Sequence, residues 1–199
     1  RLKTMEKDLP DDVKVDVAYD STKFVRASIK EVQDTIVVAF LLVVFIIFVF
    51  LREWRVTLIP TVVIPVSLVG AFFVMFIAGF SINVLSMLAV VLSVGLVVDD
   101  AIVVRENIFR KMELGESPVK AAEDGTTEVA LAVIATTATV LAVFLPIGFL
   151  SGIVGQFFKQ FGLTVCFAMI ISLFDAMTIA PMLSAYFGGQ VHGEPNFVV

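Results

Sequence analysis

The stretch Val94–Asn107, VGLVVDDAIVVREN, places two adjacent carboxylates, Asp99 and Asp100, inside an apolar run over residues 84–104 that holds no other charge. A carboxylate in hydrocarbon costs roughly 3 kcal/mol or more, so an ionisable pair at membrane depth is a functional-site hypothesis. Two neighbouring carboxylates at low dielectric are not both expected to stay ionised. A structural pair, tied to hydroxyls such as Thr137 or to backbone carbonyls, is the alternative. A bound cation such as Na⁺ is a further one.

The composition indicates an integral membrane protein. Of the 199 residues, 59% are hydrophobic and 17% are charged, whereas a soluble domain is nearer half apolar and carries more charge. The charges are concentrated: residues 1–34 hold 15 of the 33 charged side chains, and residues 105–128 hold another 10. No basic patch is interleaved with aromatic residues, so a nucleic-acid partner is not expected. The single cysteine, Cys166, excludes an internal disulfide.

Apolar segments of helical length predict an all-α integral membrane fold, a bundle of five transmembrane helices. The predicted spans are about 35–51, 56–80, 84–104, 129–150 and 161–187. Pro60 and Pro65 are expected to kink or locally unwind the second span, as neighbouring helices in a membrane allow. Ser81 or Asn83 is expected to cap the third span.

The polar segments predict how the spans are connected. Residues 1–34 are predicted to end a larger extramembrane domain, with a strand at 13–19 and a helix from about Lys23 that continues into the membrane. Residues 105–128 form a polar connection with helical stretches at 105–114 and 118–124, and residues 188–199 form a tail. Lys and Arg near the spans number six in 52–55 and 105–128 and four on the other side. The positive-inside rule therefore places those two connections in the cytoplasm.

Several other residues in the spans are candidates for accessory roles. Gly95 lies one turn before the first aspartate and removes side-chain bulk next to it. Thr137 and its neighbouring threonines either solvate protons or bond to their own backbone carbonyls. Asp175 lies within the fifth span, with Ser172 about one turn away; it joins the site, lines a wet cavity or contacts a partner helix. No phosphate loop, metal-ligand cluster or nucleophile triad is present, so we expect neither an enzyme nor a resident metal or cofactor.

Long sequence motifs resemble one known family. GLVVDDAIVVREN, with FSINVLSMLAVVLSVG before it, closely resembles the fourth transmembrane helix of resistance-nodulation-division (RND) efflux transporters. RVTLIPTVVIPVSLVGAF is similar to that family's third helix, and ATTATVLAVFLPIGFLSGIVGQFFKQFGLT to its fifth helix and the following loop. FAMIISLFDAMTIAPML is similar to the sixth helix, and AYDSTKFVRASIKEV resembles the end of a periplasmic porter subdomain. The chain thus looks like a fragment that covers transmembrane helices two to six.

The resemblance implies a function. Adjacent aspartates are typical of the family's hydrophobe/amphiphile (multidrug) branch, which implies export of amphiphilic compounds with protons as the coupling ion. Asp99 and Asp100 would be the proton relay, facing a basic residue from the remaining half of the same transporter. The resemblance also implies a homotrimer in the bacterial inner membrane, with residues 1–34 in the periplasm. A periplasmic adaptor and an outer-membrane channel would be its further partners.

Two positions depart from the family pattern. Arg105 stands where the family more often has an apolar residue. Asp175 also stands where the family usually has an apolar residue, and an acid at position 175 is consistent with a modified proton path. Two other functional classes stay open. One is a non-transporting membrane scaffold or assembly subunit, and the other is a relative that exports lipid or protein with the same motor.

Overall fold

The computed structural model describes residues 21–51 and 54–187, and these residues form α-helices and one short 3₁₀ helix. The α-helices are α1 (Ser21–Leu51), α2 (Trp54–Ile77), α3 (Val84–Glu113), α4 (Pro118–Phe144), α5 (Gly152–Met177) and α6 (Ile179–Phe187); the 3₁₀ helix, Pro146–Phe149, lies between α4 and α5. The all-α prediction is confirmed. The predicted strand at 13–19 and the tail at 188–199 lie outside the described residues.

Within the described residues, five helical stretches are long and apolar enough to cross a membrane. They are Val25–Val49, Thr57–Ile77, Val84–Glu113, Pro118–Phe149 and Gly152–Tyr186. Their outer surfaces carry large bare apolar side chains: Phe76 and Leu131 are each 80% exposed. Such surfaces would be an aggregation liability in water but match the hydrocarbon of a bilayer. The chain is therefore a multi-pass membrane protein.

Helix α3 is the axis of the bundle and contacts each of the other α-helices. Its buried side chains recur with helical spacing on opposite sides of the helix. One set packs against Ile64 and Leu68 of α2, and another packs against Ala121 and Val133 of α4. A polar side chain that points inward from the middle of α3 therefore lies at the centre of the bundle.

The ends of the helices follow their local sequence. Asn83 caps α3 with a capping box, in which its side chain accepts from the Ser86 backbone N–H and the Ser86 hydroxyl accepts from the Asn83 N–H. The prediction that Ser81 or Asn83 caps this span is thereby resolved in favour of Asn83. The preceding helix, α2, ends at Ile77, and Gly79 two residues later has φ 70°, a conformation that glycine adopts without steric cost. The Phe80 N–H bonds back to the Met75 carbonyl at 2.9 Å, as in a Schellman cap.

Prolines have different effects in different helices. Helix α2 stays α-helical through both Pro60 and Pro65, without the local unwinding that was one of the two expectations. In contrast, the predicted fifth span is two helices, because α5 ends at Met177 and α6 begins at Ile179. Pro181 has no N–H for the Met177 carbonyl, and its ring conflicts with that carbonyl in a continuous helix.

The polar connection between α3 and α4 is more helical than its sequence indicates. Helix α3 runs without a break to Glu113, and α4 runs without a break from Pro118 into the span. The predicted short helix at 118–124 is therefore the first turns of α4. Gly125 follows these turns in α4, and α3 packs against it so closely that a Cβ built there would lie 2.9 Å from the Ile108 Cα.

Candidate functional site

Helix α3 points its two adjacent aspartates in different directions. Asp100 is buried, with 4% of its surface exposed, and its flanking residues on the inward side, Val97 and Val104, are fully buried. Asp99 is exposed on the outside of the described helices. Neighbouring residues on a helix are about 100° apart, and this angle places Asp100 inside the described bundle and Asp99 on its outer face. Among the described helices, Asp100 therefore points into the bundle and Asp99 points away from it.

Two hydroxyl groups from two other helices contact the same oxygen of Asp100. Thr137 Oγ1 of α4 lies 3.2 Å from Asp100 Oδ2, and Ser172 Oγ of α5 lies 3.4 Å from it. Both hydroxyls are buried, with 1% of each residue exposed. The carboxylate thus joins the three helices α3, α4 and α5 through polar contacts in an otherwise apolar interior.

Each of these hydroxyls has a second acceptor within reach. Thr137 Oγ1 lies 3.0 Å from the Val133 carbonyl of its own helix, and Ser172 Oγ lies 3.2 Å from the Val97 carbonyl of α3. A hydroxyl has one proton to donate and two lone pairs that accept. Each hydroxyl can therefore donate to an ionised Asp100, or turn to the carbonyl and accept a hydrogen bond from a protonated one.

Two other threonines of α4 bond to their own helix. Thr136 donates to the Val133 carbonyl at 2.9 Å, and Thr139 donates to the Ala135 carbonyl at 2.8 Å. Both therefore follow the alternative in which a threonine bonds to its own helix. Thr137 makes both kinds of contact, and its position facing α3 is what distinguishes it.

Gly95 lies on the exposed face of α3, together with Asp99. A Cβ built at Gly95 meets no atom within 4 Å among the residues that the structure describes. The glycine does lie one turn from the aspartate, as its spacing indicates. The open space belongs to the outer face of α3 and not to the packed interior around Asp100.

Asp175 of α5 is a second buried carboxylate, with 3% of its surface exposed. It accepts a hydrogen bond from the hydroxyl of Ser67 on α2, a residue that is fully buried. The sequence placed Ser172 one turn from Asp175 but did not reveal the contact with Ser67. A signal was present, because Ser67 is the one hydroxyl residue between Thr61 and Ser81 in an otherwise apolar stretch.

A polar cluster joins the ends of α3 and α4 beyond the apolar spans. Asn107 Nδ2 donates to the Gly125 carbonyl at 2.7 Å, and its Oδ1 accepts from Arg110 Nη2 at 2.7 Å. Glu128 forms ion pairs with Arg110 at 2.8 Å and with Lys111 at 3.0 Å. The Arg110 and Glu128 side chains are about half exposed, so their ion pair contributes little to stability. The main stabilising contribution of this cluster comes from the hydrogen bonds of the buried Asn107 amide. Sequence reasoning did not identify it.

These observations define the class of protein: a polytopic membrane protein whose helix bundle buries carboxylates at membrane depth. The chain belongs to the AcrB/AcrD/AcrF family of RND multidrug efflux transporters, whose family model matches residues 1–197. The resemblance found in the sequence is therefore confirmed.

Individual relatives agree with this family. The chain is 44% identical over 185 residues to multidrug resistance protein MdtC of Pantoea ananatis (strain AJ13355), an alignment that covers 93% of this chain and 18% of that protein. It is 40% identical over 198 residues to MdtC of Enterobacter sp. (strain 638), covering 98% of this chain and 19% of that protein. The chain spans less than a fifth of the length of these relatives.

Proposed function

We propose that this chain forms transmembrane helices two to six of a drug:proton antiporter that exports hydrophobic and amphiphilic compounds. In this proposal the protein is a transporter and not an enzyme, and protons are its coupling ion. Asp99 and Asp100 are the proton relay of the first half. The family membership of the chain and the names of its multidrug-resistance relatives support the class of transported compound.

The observation that carries the proposal is the pair of hydroxyls with alternative acceptors around Asp100. A site built only for structure needs one hydrogen-bond arrangement, whereas a proton carrier must be stable in two protonation states. When Asp100 is ionised, Thr137 and Ser172 both donate to its Oδ2. When Asp100 binds a proton, its own O–H donates to one of them, and that hydroxyl turns to its carbonyl. Proton binding thus reverses one of the two hydrogen bonds that join α3 to α4 and to α5.

Asp99 has a different role in this mechanism. It lies on the outer face of α3, where an ionised carboxylate in contact with lipid would be costly. We propose that the remaining half of the same transporter covers this face and supplies a cation to Asp99. Asp100 then binds the transported proton inside the bundle. The change in charge at Asp100 acts electrostatically on Asp99, the neighbouring residue.

The orientation and partners follow from the same proposal. Residues 105–128 lie in the cytoplasm and residues 1–34 in the periplasm of a bacterium, with the helices in its inner membrane. The basic side chains Arg110 and Lys111 near the end of α3 agree with the positive-inside rule. The whole protein would act as a homotrimer, with a periplasmic adaptor and an outer-membrane channel.

The direct test is exchange of drug against protons. We expect the whole protein, reconstituted in lipid vesicles with a trapped pH dye, to move protons when a gradient of a fluorescent amphiphile is imposed. Replacing Na⁺ by choline should leave this exchange unchanged. Exchange that requires Na⁺ would replace the proton by sodium as the coupling ion. No exchange with any amphiphile, from protein that assembles normally, would contradict drug transport and favour the scaffold or the lipid or protein exporter.

The hydroxyl of Thr137 is expected to contribute to transport. Thr137→Val keeps the shape of the side chain but removes the donor to Asp100, at a cost of about 1 kcal/mol, or roughly a fivefold slower efflux. Thr137→Ser should transport normally. The matched control is Thr139→Val, because the Thr139 hydroxyl bonds only to the Ala135 carbonyl at 2.8 Å in the described structure. Equal efflux rates for Thr137→Val and Thr139→Val would show that the Asp100 contact is not used.

A further inference from the structure

The buried carboxylate of Asp175 has no role in the mechanism above. It lies on α5, two residues before that helix ends, and the Ser67 hydroxyl of α2 donates a hydrogen bond to it. A carboxylate that stays ionised in a low-dielectric interior needs a cation or several donors. A single hydroxyl donor stabilises an ionised carboxylate only weakly. The surroundings of Asp175 therefore suit the neutral carboxylic acid better.

The helices that pack against Asp175 offer few charges. The described span of α2, Thr57–Ile77, and helix α6 contain no Asp, Glu, Lys, Arg or His. Helix α3 contributes Asp100, exposed Asp99 and buried Arg105, whose guanidinium carbon lies 5.1 Å from the centre of the Phe109 ring. The other charged groups of α3 and those of α4 lie at the polar ends, in residues 105–128. Among these groups, Asp100 contacts a residue of the helix that carries Asp175, through Ser172.

Ser172 is the link between the two carboxylates. Its hydroxyl lies 3.4 Å from Asp100 Oδ2, and its position is three residues before Asp175 on the same helix. Side chains with this spacing are neighbours on a helix surface, with Cβ atoms about 5–6 Å apart. Asp100 and Ser172 thus form one contact pair and Ser67 and Asp175 another, and the helical spacing of Ser172 and Asp175 on α5 makes the two pairs neighbours.

We infer that Asp175 is a second proton-binding carboxylate of the transport site and exchanges its proton with Asp100 through Ser172. The inference rests on the proposed function. In the exchange, the Ser172 hydroxyl gives its proton to Asp100 and receives the proton of Asp175, through a change of rotamer or one bridging water. Asp100 becomes neutral, Asp175 becomes ionised and Ser172 is unchanged. Ser67 is a positioning residue that donates to whichever form of Asp175 is present.

The test is infrared spectroscopy of the whole protein in lipid, which reports protonated carboxyl groups through their C=O stretching band. At neutral pH we expect Asp175→Asn to remove the part of this band that comes from one buried carboxylic acid. Efflux should slow by about tenfold, less than the ~100-fold or more of a group that transfers the proton in the rate-limiting step. A band that is identical in wild type and Asp175→Asn would show that Asp175 is ionised and would overturn the inference.

A second variant covers the case in which Asp175→Asn does not fold. Ser67→Ala removes one hydrogen bond from Asp175, and we expect the carboxylic C=O band to shift in frequency. The matched control is Ser184→Ala, because Ser184 is equally buried and its hydroxyl bonds to the Ala180 carbonyl at 2.7 Å. An unshifted band in Ser67→Ala would contradict the inference. If Asp100→Asn abolishes efflux while both Asp175 and Ser67 variants behave as wild type, the proposed function stands and only the inference fails.

Discussion

Replacing Asp100 by asparagine is expected to reduce efflux of a fluorescent amphiphile to the level of cells without the transporter. Asparagine has nearly the same shape as aspartate, and the hydroxyls of Thr137 and Ser172 can still bond to its side-chain oxygen. The bundle should therefore fold. What the substitution removes is the ability of this position to bind and release a proton, and without it the two hydrogen-bond arrangements around position 100 no longer alternate.

The experiment compares whole cells that express equal amounts of wild type, Asp100→Asn and Glu123→Gln. Glu123 is an exposed acid near the polar start of α4, so its variant controls for the loss of a negative charge away from the site. Assembly of the variants is checked by gel filtration in detergent. Normal efflux by Asp100→Asn would mean that the buried carboxylate is structural, and the proposed mechanism would fail.

Asp99→Asn belongs in the same series because the structure gives the two aspartates different surroundings. If Asp99 only balances a cation from the remaining half, its neutral variant should lose efflux and also assemble less stably. If Asp99 lies bare in lipid, its neutral variant should be more stable than wild type and should transport. The two outcomes separate a covered outer face of α3 from an open one.

The helices could be predicted from the sequence because their signals are local. An uninterrupted apolar run identifies a span, Asn83 with Ser86 three residues later identifies a capping box, and Gly79 identifies a helix end. The end of α5 at Met177 also has a local signal, since Pro181 cannot supply the N–H that a continuous helix needs for the Met177 carbonyl, although α2 tolerates the same loss at Pro60 and Pro65. Hydropathy alone does not reveal this helix end, because the residues on both sides of Pro181 are strongly apolar.

The site could be predicted only in part. The two aspartates were identifiable by their cost in hydrocarbon, and Thr137 as one of the hydroxyls near the middle of the fourth span. Which of two adjacent aspartates points inward depends on the rotation of α3, and that rotation is set by packing with several helices at once. The contact of Ser67 with Asp175 joins residues 108 positions apart, and one sequence contains no information on such pairs beyond the rarity of the two polar residues.

The second large effect on stability and transport is expected for Gly125→Leu. Gly125 lies where α4 crosses α3 at close range. A Cβ at this position lies 2.9 Å from the Ile108 Cα and 3.1 Å from its backbone nitrogen. These are backbone atoms of a buried helix and cannot move aside as a flexible side chain can. We expect a loss of about 3 kcal/mol in stability, the upper part of the range for overpacked cores, and efflux close to background.

The loss of transport has a geometric reason beyond stability. Thr137 lies 12 residues after Gly125 on the same helix, roughly 18 Å along its axis. If the crossing at Gly125 opens, α4 tilts away from α3 and the contact between Thr137 and Asp100, now 3.2 Å, lengthens beyond hydrogen-bond range. The measurements are the thermal unfolding temperature in detergent and whole-cell efflux, with Ala132→Leu as the control because Ala132 is exposed on the same helix. A Gly125→Leu variant as stable and active as Ala132→Leu would show that the crossing tolerates separation and that transport does not depend on it.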